Sequence, residues 1–471
     1  MANQVQAEEG PVKAYPAKRF FVEMLTRDIE LKDSLLDLLD NCIDGVMREK
    51  KEQLNEAQPY TGYEARITFN KDRFTITDNC GGIPKGVALE RAFRLGRPDK
   101  ETDPDIPTVG VYGIGMKRAI FKMGRQAEIS SSTEECSYKV DISPDWIDDD
   151  KNWTLPLTET ERRTESTGVS ITVTSLYSGV SRLFSDATAF ETDLIKSISA
   201  YYGNIILKGF NVYVNEQRVP PIGSAFILSE EAFNTGTGIA PYVYTGEVNG
   251  VSIELAVGFY RNLPTDEEQE ASLPGRPSTE QAGWTIICND RVVLYADKSK
   301  VTGWGEAGVP QYHTQFVSIA GVVNFKSNDA ALLPVTTTKR GIDGNSELYL
   351  SVKEFMREGM KLFTSYTNKW KVPSADRPEL ATPAITSTTK SIAAMVPKDK
   401  WSQDRKSTIK GNKFKPILPT PEKQDDYRFI RFSRPISDIR SIGEHFFDDP
   451  NYAPGDIGGA CFDEVLKRIK E

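Results

Sequence analysis

The sequence predicts an α+β protein made of two successive sheet-and-helix units, a linker and a small helical end. Three observations carry that prediction. Residues 17–57 hold apolar side chains at helical spacing and are followed by two short alternating runs. The strand-like pattern restarts near residue 222 and ends in a long amphipathic stretch. At Pro373 the composition turns to Pro, Ser, Thr and Lys.

Phe20, Phe21, Met24 and Leu25, then Leu35, Leu36, Leu38, Leu39, Ile43 and Val46, read as two helices with a break near Thr26–Leu31. ARITFN and RFTITD alternate across Lys71–Asp72 and read as a hairpin. Residues 91–112 have no period and read as a loop, and residues 113–124 as a helix entered from glycine. Strands are expected in 126–141 and 168–177, a helix near 187–201, and a closing strand in ILKGFNVYVN. This series predicts helices laid on one face of a mixed sheet.

YVYTGEVNGVSIELAVGFY, GWTIICNDRVVLYAD and SIAGVVNFKS are strand-like, and SELYLSVKEFMREGMKLFTSYTNKW is a long helix. The expected units are therefore 17–221, 222–372, a basic linker at 373–426 and a helical module at 427–471.

The chain has 471 residues with 58 basic and 67 acidic side chains, a net charge of -9. That balance speaks against wholesale coating by nucleic acid but not against a local basic patch. Five scattered cysteines without C-x-x-C spacing speak against a zinc ribbon or disulfide scaffold, and two histidines exclude a histidine-rich metal site. No apolar run approaches the ~20 residues needed to span a bilayer, and the first residues lack a signal-peptide pattern. A cytoplasmic, non-membrane protein is the expectation.

Three clusters could hold chemistry. In LLDLLDNCIDG, residues 35–45, Asp37 and Asn41 are four apart and share one helix face, with Asp40 and Asp44 adding charge. Such a pair offers a general base and an oxygen ligand for magnesium. In TDNCGGIP, residues 77–84, an aspartate at a strand end is followed by glycines, so backbone can approach a flat ligand while Asp78 accepts from an amine. In GVYGIGMKRA, Gly110, Gly113 and Gly115 let amides face an anion at a helix start, and Lys117 adds charge. This run fails the Walker A pattern because Met116 stands where Lys is needed. GWGEAG at 303–308 lacks a strand-then-helix context and reads as a turn.

In this order the three clusters resemble the motifs of the GHKL ATPases, the superfamily of the gyrase B subunit, the ninety-kilodalton heat-shock chaperone, histidine-kinase ATP domains, MutL and MORC proteins. LLDLLDNCIDG resembles the N box, TDNCGGIP the first glycine box and GVYGIGMK the second, with the ATP lid at about 91–112. The resemblance implies a Bergerat-type ATP-binding sandwich with ATP and Mg2+ as its cofactors. It implies Asp37 as the base, Asn41 as magnesium ligand and Asp78 as adenine reader. Asp44, Gly82, Ile83, Gly110, Gly113, Gly115 and Lys117 would line the nucleotide.

Three positions depart from the pattern: Asp37 replaces the usual Glu, Cys80 stands where Gly is usual, and Gly168 is followed by Val169 rather than Thr. Ser170 or Thr172 could supply the missing hydroxyl. ALLPVTTTKRGID, residues 331–343, is similar to the switch-lysine loop of the MORC, MutL and topoisomerase branch, which makes Lys339 a catalytic residue in a transducer-like domain.

The resulting expectation is a slow Mg-dependent ATPase whose ATP state closes domains and drives homodimerisation, serving as a DNA-associated or defence-type clamp. DNA contact would run through the basic linker, with its lysines around Trp401 and Phe414, and an effector protein is a further partner. A chaperone-like ATPase and a hydrolysis-poor nucleotide-gated scaffold are the alternatives. A histidine kinase is excluded, because His313 and His445 both follow the ATP motifs.

Overall fold

A computed structural model describes residues 17–50, 56–94, 114–161, 167–229, 238–264, 281–336, 341–370, 384–386, 389–403, 409–419, 430 and 432–470. Helix α1 (Lys18–Arg27) stops short of α2 (Leu31–Glu49), with the break where the periodicity lapses. Leu35, Leu36, Leu38, Leu39, Ile43 and Val46 are all buried, on more than one face of α2. That near-complete burial follows from α2 sitting in the centre of the first hydrophobic core. Helix α1 is anchored by Lys18, whose ammonium donates to the carbonyls of Trp146 (2.5 Å), Asp149 (2.6 Å) and Asn152 (2.6 Å).

The first sheet has eight strands: β1 (Glu64–Phe69), β2 (Phe74–Asp78), β3 (Gly124–Ser132), β4 (Ser137–Ile142), β5 (Leu157–Thr160), β6 (Gly168–Leu176), β7 (Asn211–Val214) and β8 (Gln217–Arg218). They lie in the order β5-β4-β3-β6-β2-β1-β7-β8, with β1 and β7 parallel and the other pairs antiparallel. Between β2 and β3 come the short α3 (Lys85–Val87), a π-helical turn at Ala88–Ala92, and α4 (Gly115–Met123). Helices α5 (Pro144–Asp148), α6 (Ser178–Ser185) and α7 (Ala187–Leu207) complete the unit. The closing strand is shorter than its sequence implies. Ile205–Leu207 continue α7, Gly209 turns the chain at φ 108, and β7 begins only at Asn211.

The second sheet comprises β10 (Tyr242–Val248), β11 (Val251–Phe259), β12 (Gly283–Cys288), β13 (Arg291–Asp297), β14 (Ile319–Lys326), β16 (Ser402–Gln403) and β17 (Gly411–Phe414), in the order β13-β12-β14-β11-β10-β17-β16. A separate ribbon pairs β9 (Ala225–Ile227) with β15 (Ala384–Thr386). Helix α8 (Glu347–Lys369) covers one face of the large sheet, and Ile392 and Val396, in and just after α9 (Thr389–Met395), pack on the other. Part of the stretch that composition marks as a linker thus builds the sheet. Phe414 pairs with Val243 and is buried, and Lys413 donates to Glu358 at 3.0 Å. Local composition cannot reveal this, because the partner strand lies far away in sequence.

Two further helices, α10 (Ile436–Phe447) and α11 (Pro454–Lys470), pack on each other. Among the described residues no helix is long and apolar enough to cross a membrane.

A tight turn of the second sheet packs against helices α2 and α7 of the first unit. Cys288 pairs with Arg291, and Asn289 (φ 46) and Asp290 (φ 67) form the two-residue loop between them. Positive φ at both positions is the signature of a type I′ hairpin, which Asn-Asp permits. Asn289 fixes the turn by donating to the Ser327 carbonyl at 3.0 Å and accepting from the Ser327 amide at 3.0 Å. The turn inserts Asp290 and Arg291 against α2 and α7.

Candidate functional site

Helix α2 and the end of β2 supply most of the site. Strand β2 alternates so that Phe74, Ile76 and Asp78 face the helices, while Thr75 and Thr77 face away. The Asp78 carboxylate accepts from the amides of Cys80 (2.8 Å) and Val169 (3.3 Å). Burial raises the Asp78 pKa above the usual carboxylate value, although these amide bonds and the nearby Cys42 and Cys80 thiols pull it the other way. A desolvated carboxylate held by its own backbone, with capacity left to accept, is suited to a ligand N–H. The flanking thiols are themselves buried, which pushes Cys42 and Cys80 up and keeps them protonated.

Close approach demands glycine on the neighbouring strand. A Cβ on Gly168 would lie 1.9 Å from the Asp78 carbonyl oxygen. Beyond Asp78, Gly82 has φ 73, and Ile83 is tied to the sheet: its amide donates to Ser131 Oγ at 2.8 Å, and its carbonyl accepts from Tyr138 at 2.6 Å. The bend after β2 is therefore built by named contacts to β3 and β4.

Ser170 and Thr172 do not restore the missing hydroxyl. In β6, Ile171 and Val173 join the helix-side core with Val169 against them, so Ser170 and Thr172 project from the opposite face. Thr172 Oγ1 there lies 3.2 Å from Thr75 Oγ1. On the face it shares with Asp78, β6 presents Val169.

Helix α4 closes the other side. Its N-cap, Ile114, gives no side-chain hydrogen bond to the first-turn amides. Gly115 sits directly on Asp37: a Cβ there would lie 3.3 Å from the Asp37 Cβ. Arg118, one turn further on the same face, pairs with the Asp37 carboxylate, its Nε 3.1 Å from Oδ2. Lys117 points elsewhere, buried and donating to the Ala92 carbonyl at 2.8 Å, so it ties α4 to the π-helical turn. The sequence pattern names Lys117 and not Arg118. The available signal was spacing, since a residue three after Gly115 faces whatever Gly115 touches.

On α2 itself Asn41 is exposed, whereas Asp37, Asp40 and Asp44 are buried. From sequence alone Asp40 reads as added charge, at a cation site or exposed. It accepts from Arg291 Nε at 2.8 Å and from the Tyr202 hydroxyl at 2.6 Å, with Arg291 stacked over the Tyr202 ring at 4.2 Å. Burial alone would lower the Arg291 pKa, but Asp40, with Tyr202 and Asp37, raises it above the ordinary value. Asp290 accepts from Lys208 (2.6 Å) and Tyr60 (3.0 Å). Burial would raise its pKa, but the charges of Lys208 and Lys326 leave it below the ordinary value.

Gly110, Gly113 and Lys339 lie outside the described residues, as does most of the expected lid. Among the described residues no three His, Cys, Asp or Glu side chains gather into a metal cage.

No curated protein matches this chain. Residues 29–174, from the start of α2 into β6, match the family model described as histidine kinase-, DNA gyrase B-, and HSP90-like ATPase, which supports a GHKL-type ATP-binding domain over that stretch.

Proposed function

We propose that the chain binds Mg-ATP between α2, the bend after β2 and the start of α4, and hydrolyses it slowly. The observation that carries this reading is the contact of the glycine-initiated α4 with the Asp37 face of α2, in the same unit as the half-buried Asp78 carboxylate. Free amides at a helix start stabilise phosphate charge. Asp78 accepts from the exocyclic amine of adenine. Asn41 would hold Mg2+ through its carboxamide oxygen, and the ion would supply charge neutralisation at the phosphates. Asp44, Gly82 and Ile83 line the nucleotide, as do Gly110 and Gly113 of the second glycine box.

Asp37 is proposed as the base, with Arg118 as its counter-ion. A carboxylate bound by guanidinium is a weak base. The terminal phosphate of ATP competes for Arg118, and that exchange releases Asp37 to polarise water. The water oxygen bonds to the γ-phosphorus, the bond to the β–γ bridging oxygen breaks, and the water proton passes to Asp37. ADP and phosphate result. Lys339 is proposed to reach the terminal phosphate from the second unit and couple ATP to domain closure and homodimerisation. Lys117, by contrast, is proposed to hold the lid's root rather than a phosphate.

The biological setting in this reading is a clamp of the MORC or MutL kind, in a transducer-like arrangement. With Phe414 and Lys413 committed to the second sheet, DNA contact falls to the exposed Lys398, Lys400 and Lys410. A second reading is a hydrolysis-poor nucleotide-gated scaffold, favoured by the Arg118–Asp37 pair and by Val169 at the strand position where a hydroxyl is usual.

Magnesium-dependent ATP hydrolysis by wild type, Asp37→Ala and Lys339→Ala, with mass followed by light scattering, tests both readings. Slow turnover that vanishes in Asp37→Ala while ATP still binds supports the ATPase. ATP binding without turnover in wild type supports the scaffold, and absence of ATP binding defeats both.

A further inference from the structure

Leu35, Leu36, Leu38, Leu39 and Ile43 are all buried around α2. Such packing holds the helix in the core without fixing its rotation or its axial register, because apolar contact has no direction. Contacts that do have direction meet α2 at Asp40. Arg291 Nε donates to Asp40 Oδ1 at 2.8 Å, and the Tyr202 hydroxyl reaches the same oxygen at 2.6 Å while lying 2.7 Å from the Leu36 carbonyl. A salt bridge as buried as this one often adds little net stability over an apolar pair of the same size. Its use is then in geometry.

The mount of Arg291 is fixed as well. On one oxygen Asp290 accepts from Lys208 at 2.6 Å and Asn204 at 3.3 Å, and on the other from the Tyr60 hydroxyl at 3.0 Å. Asn289 clasps Ser327 through two bonds of 3.0 Å. The hairpin is therefore tied to α7, to the turn before β1 and to its own sheet, and Arg291 meets α2 from a set place. Asp37 stands three residues before Asp40, so the two are neighbours on one side of the helix. A rotation or slide of α2 at Asp40 carries Asp37 with it.

We propose that Arg291 is a positioning residue for ATP hydrolysis, fixing the rotation and register of α2 through Asp40 and so the place of Asp37. The second unit thereby reaches the base through the helix that carries it. That role presupposes Asp37 as the base of the ATPase reading above.

Full-length Asp40→Leu with Arg291→Met keeps the interior filled and uncharged, so it separates geometry from stability. Its urea midpoint is expected near that of wild type, and its ATP dissociation constant within about twofold, since Asp78 and the start of α4 keep their places. Its kcat is expected to fall at least about tenfold, because a shift of about 1 Å in a reacting group costs up to about a hundredfold. Tyr202→Phe, a milder change at nearly constant volume, is expected to lower kcat about threefold with affinity unchanged, and it decides the matter if the double variant does not fold. A joint that only stabilises would recover turnover together with stability.

A second measurement needs no ATP. Arg118→Ala is made in wild type and in the double variant, and urea unfolding is followed in all of them. With Asp37 out of place, loss of Arg118 is expected to cost about fivefold less in the unfolding constant. Wild-type kcat in the stable double variant, or additivity within about twofold in this cycle, would overturn the inference. If wild type itself turns over no ATP, the ATPase reading falls, and the cycle alone decides whether Arg291 places Asp37.

Discussion

Helix α2 carries two acid–arginine pairs, and they differ in kind. Asp40 and Arg291 are 0% and 1% exposed, and the pair joins the two sheets with Tyr202 completing it. Asp37 and Arg118 lie one turn away within a single unit, and Arg118 keeps partial access to solvent. Sealed from water, the first pair acts as a joint. The second sits at the start of α4, where an anion is proposed to take the arginine. Position relative to solvent separates structural from exchangeable charge here, since the side-chain types are the same.

The joint is where the largest effect is expected. Arg291→Ala leaves Asp40 buried and uncompensated, at a cost of about 3–5 kcal/mol, measurable by urea unfolding. Replacing both partners, Asp40→Leu with Arg291→Met, is expected to recover most of that loss. If the single and double variants are equally unstable, the pair is not what joins the sheets. Asp290 adds a pH signature to the same joint. Its folded pKa lies below the unfolded one, so its contribution is present above the ordinary carboxylate pKa and is lost as pH falls through the folded value. Asp290→Asn is expected to flatten that acid limb.

The adenine reader comes next. Asp78→Ala removes a charged acceptor and is expected to weaken ATP binding by about 1.5–3 kcal/mol, read by calorimetry. Stability is expected not to fall in step, because burial makes ionised Asp78 a cost. With its folded pKa raised, Asp78 favours the fold below the unfolded pKa, and that contribution is lost as pH rises through the folded value. ATP affinity runs the opposite way, rising with pH through the folded pKa as the carboxylate ionises. Affinity that ignores pH there would remove Asp78 from the site.

The exchangeable pair supplies the third test. Arg118→Ala is expected to weaken ATP binding about tenfold and to slow turnover, because it deletes a phosphate contact. Asp37→Ala is expected to abolish turnover yet bind ATP as well as wild type or better, with Arg118 released. If Arg118→Ala instead speeds hydrolysis, Arg118 only restrains the base.

Much of this was legible in the sequence. Helical spacing located α1 and α2, and alternation located the β1–β2 hairpin, because both patterns are local. The three motif clusters were visible because each is contiguous. Arg291 and β17 were not, since each takes its meaning from a partner far along the chain, and Arg118 was legible only through its spacing from Gly115. Asp40 reads from sequence as added charge, at a cation site or exposed, and only the second sheet brings Arg291 onto it.

Val169 offers the finest test, and it turns on which way a strand side chain points. Ser170 was a reasonable substitute for a missing hydroxyl on proximity alone, but alternation turns it to the opposite face from Asp78. Val169→Thr places a hydroxyl on the Asp78 face at nearly constant volume. One added hydrogen bond near the base is expected to tighten ATP binding by about 1 kcal/mol, roughly fivefold, while Ser170→Ala is expected to leave affinity unchanged. Titration of both variants with ATP decides the matter. An effect of Ser170→Ala with none from Val169→Thr would mean that the nucleotide lies on the other face of the sheet, and the site built from α2 and α4 would fall with it.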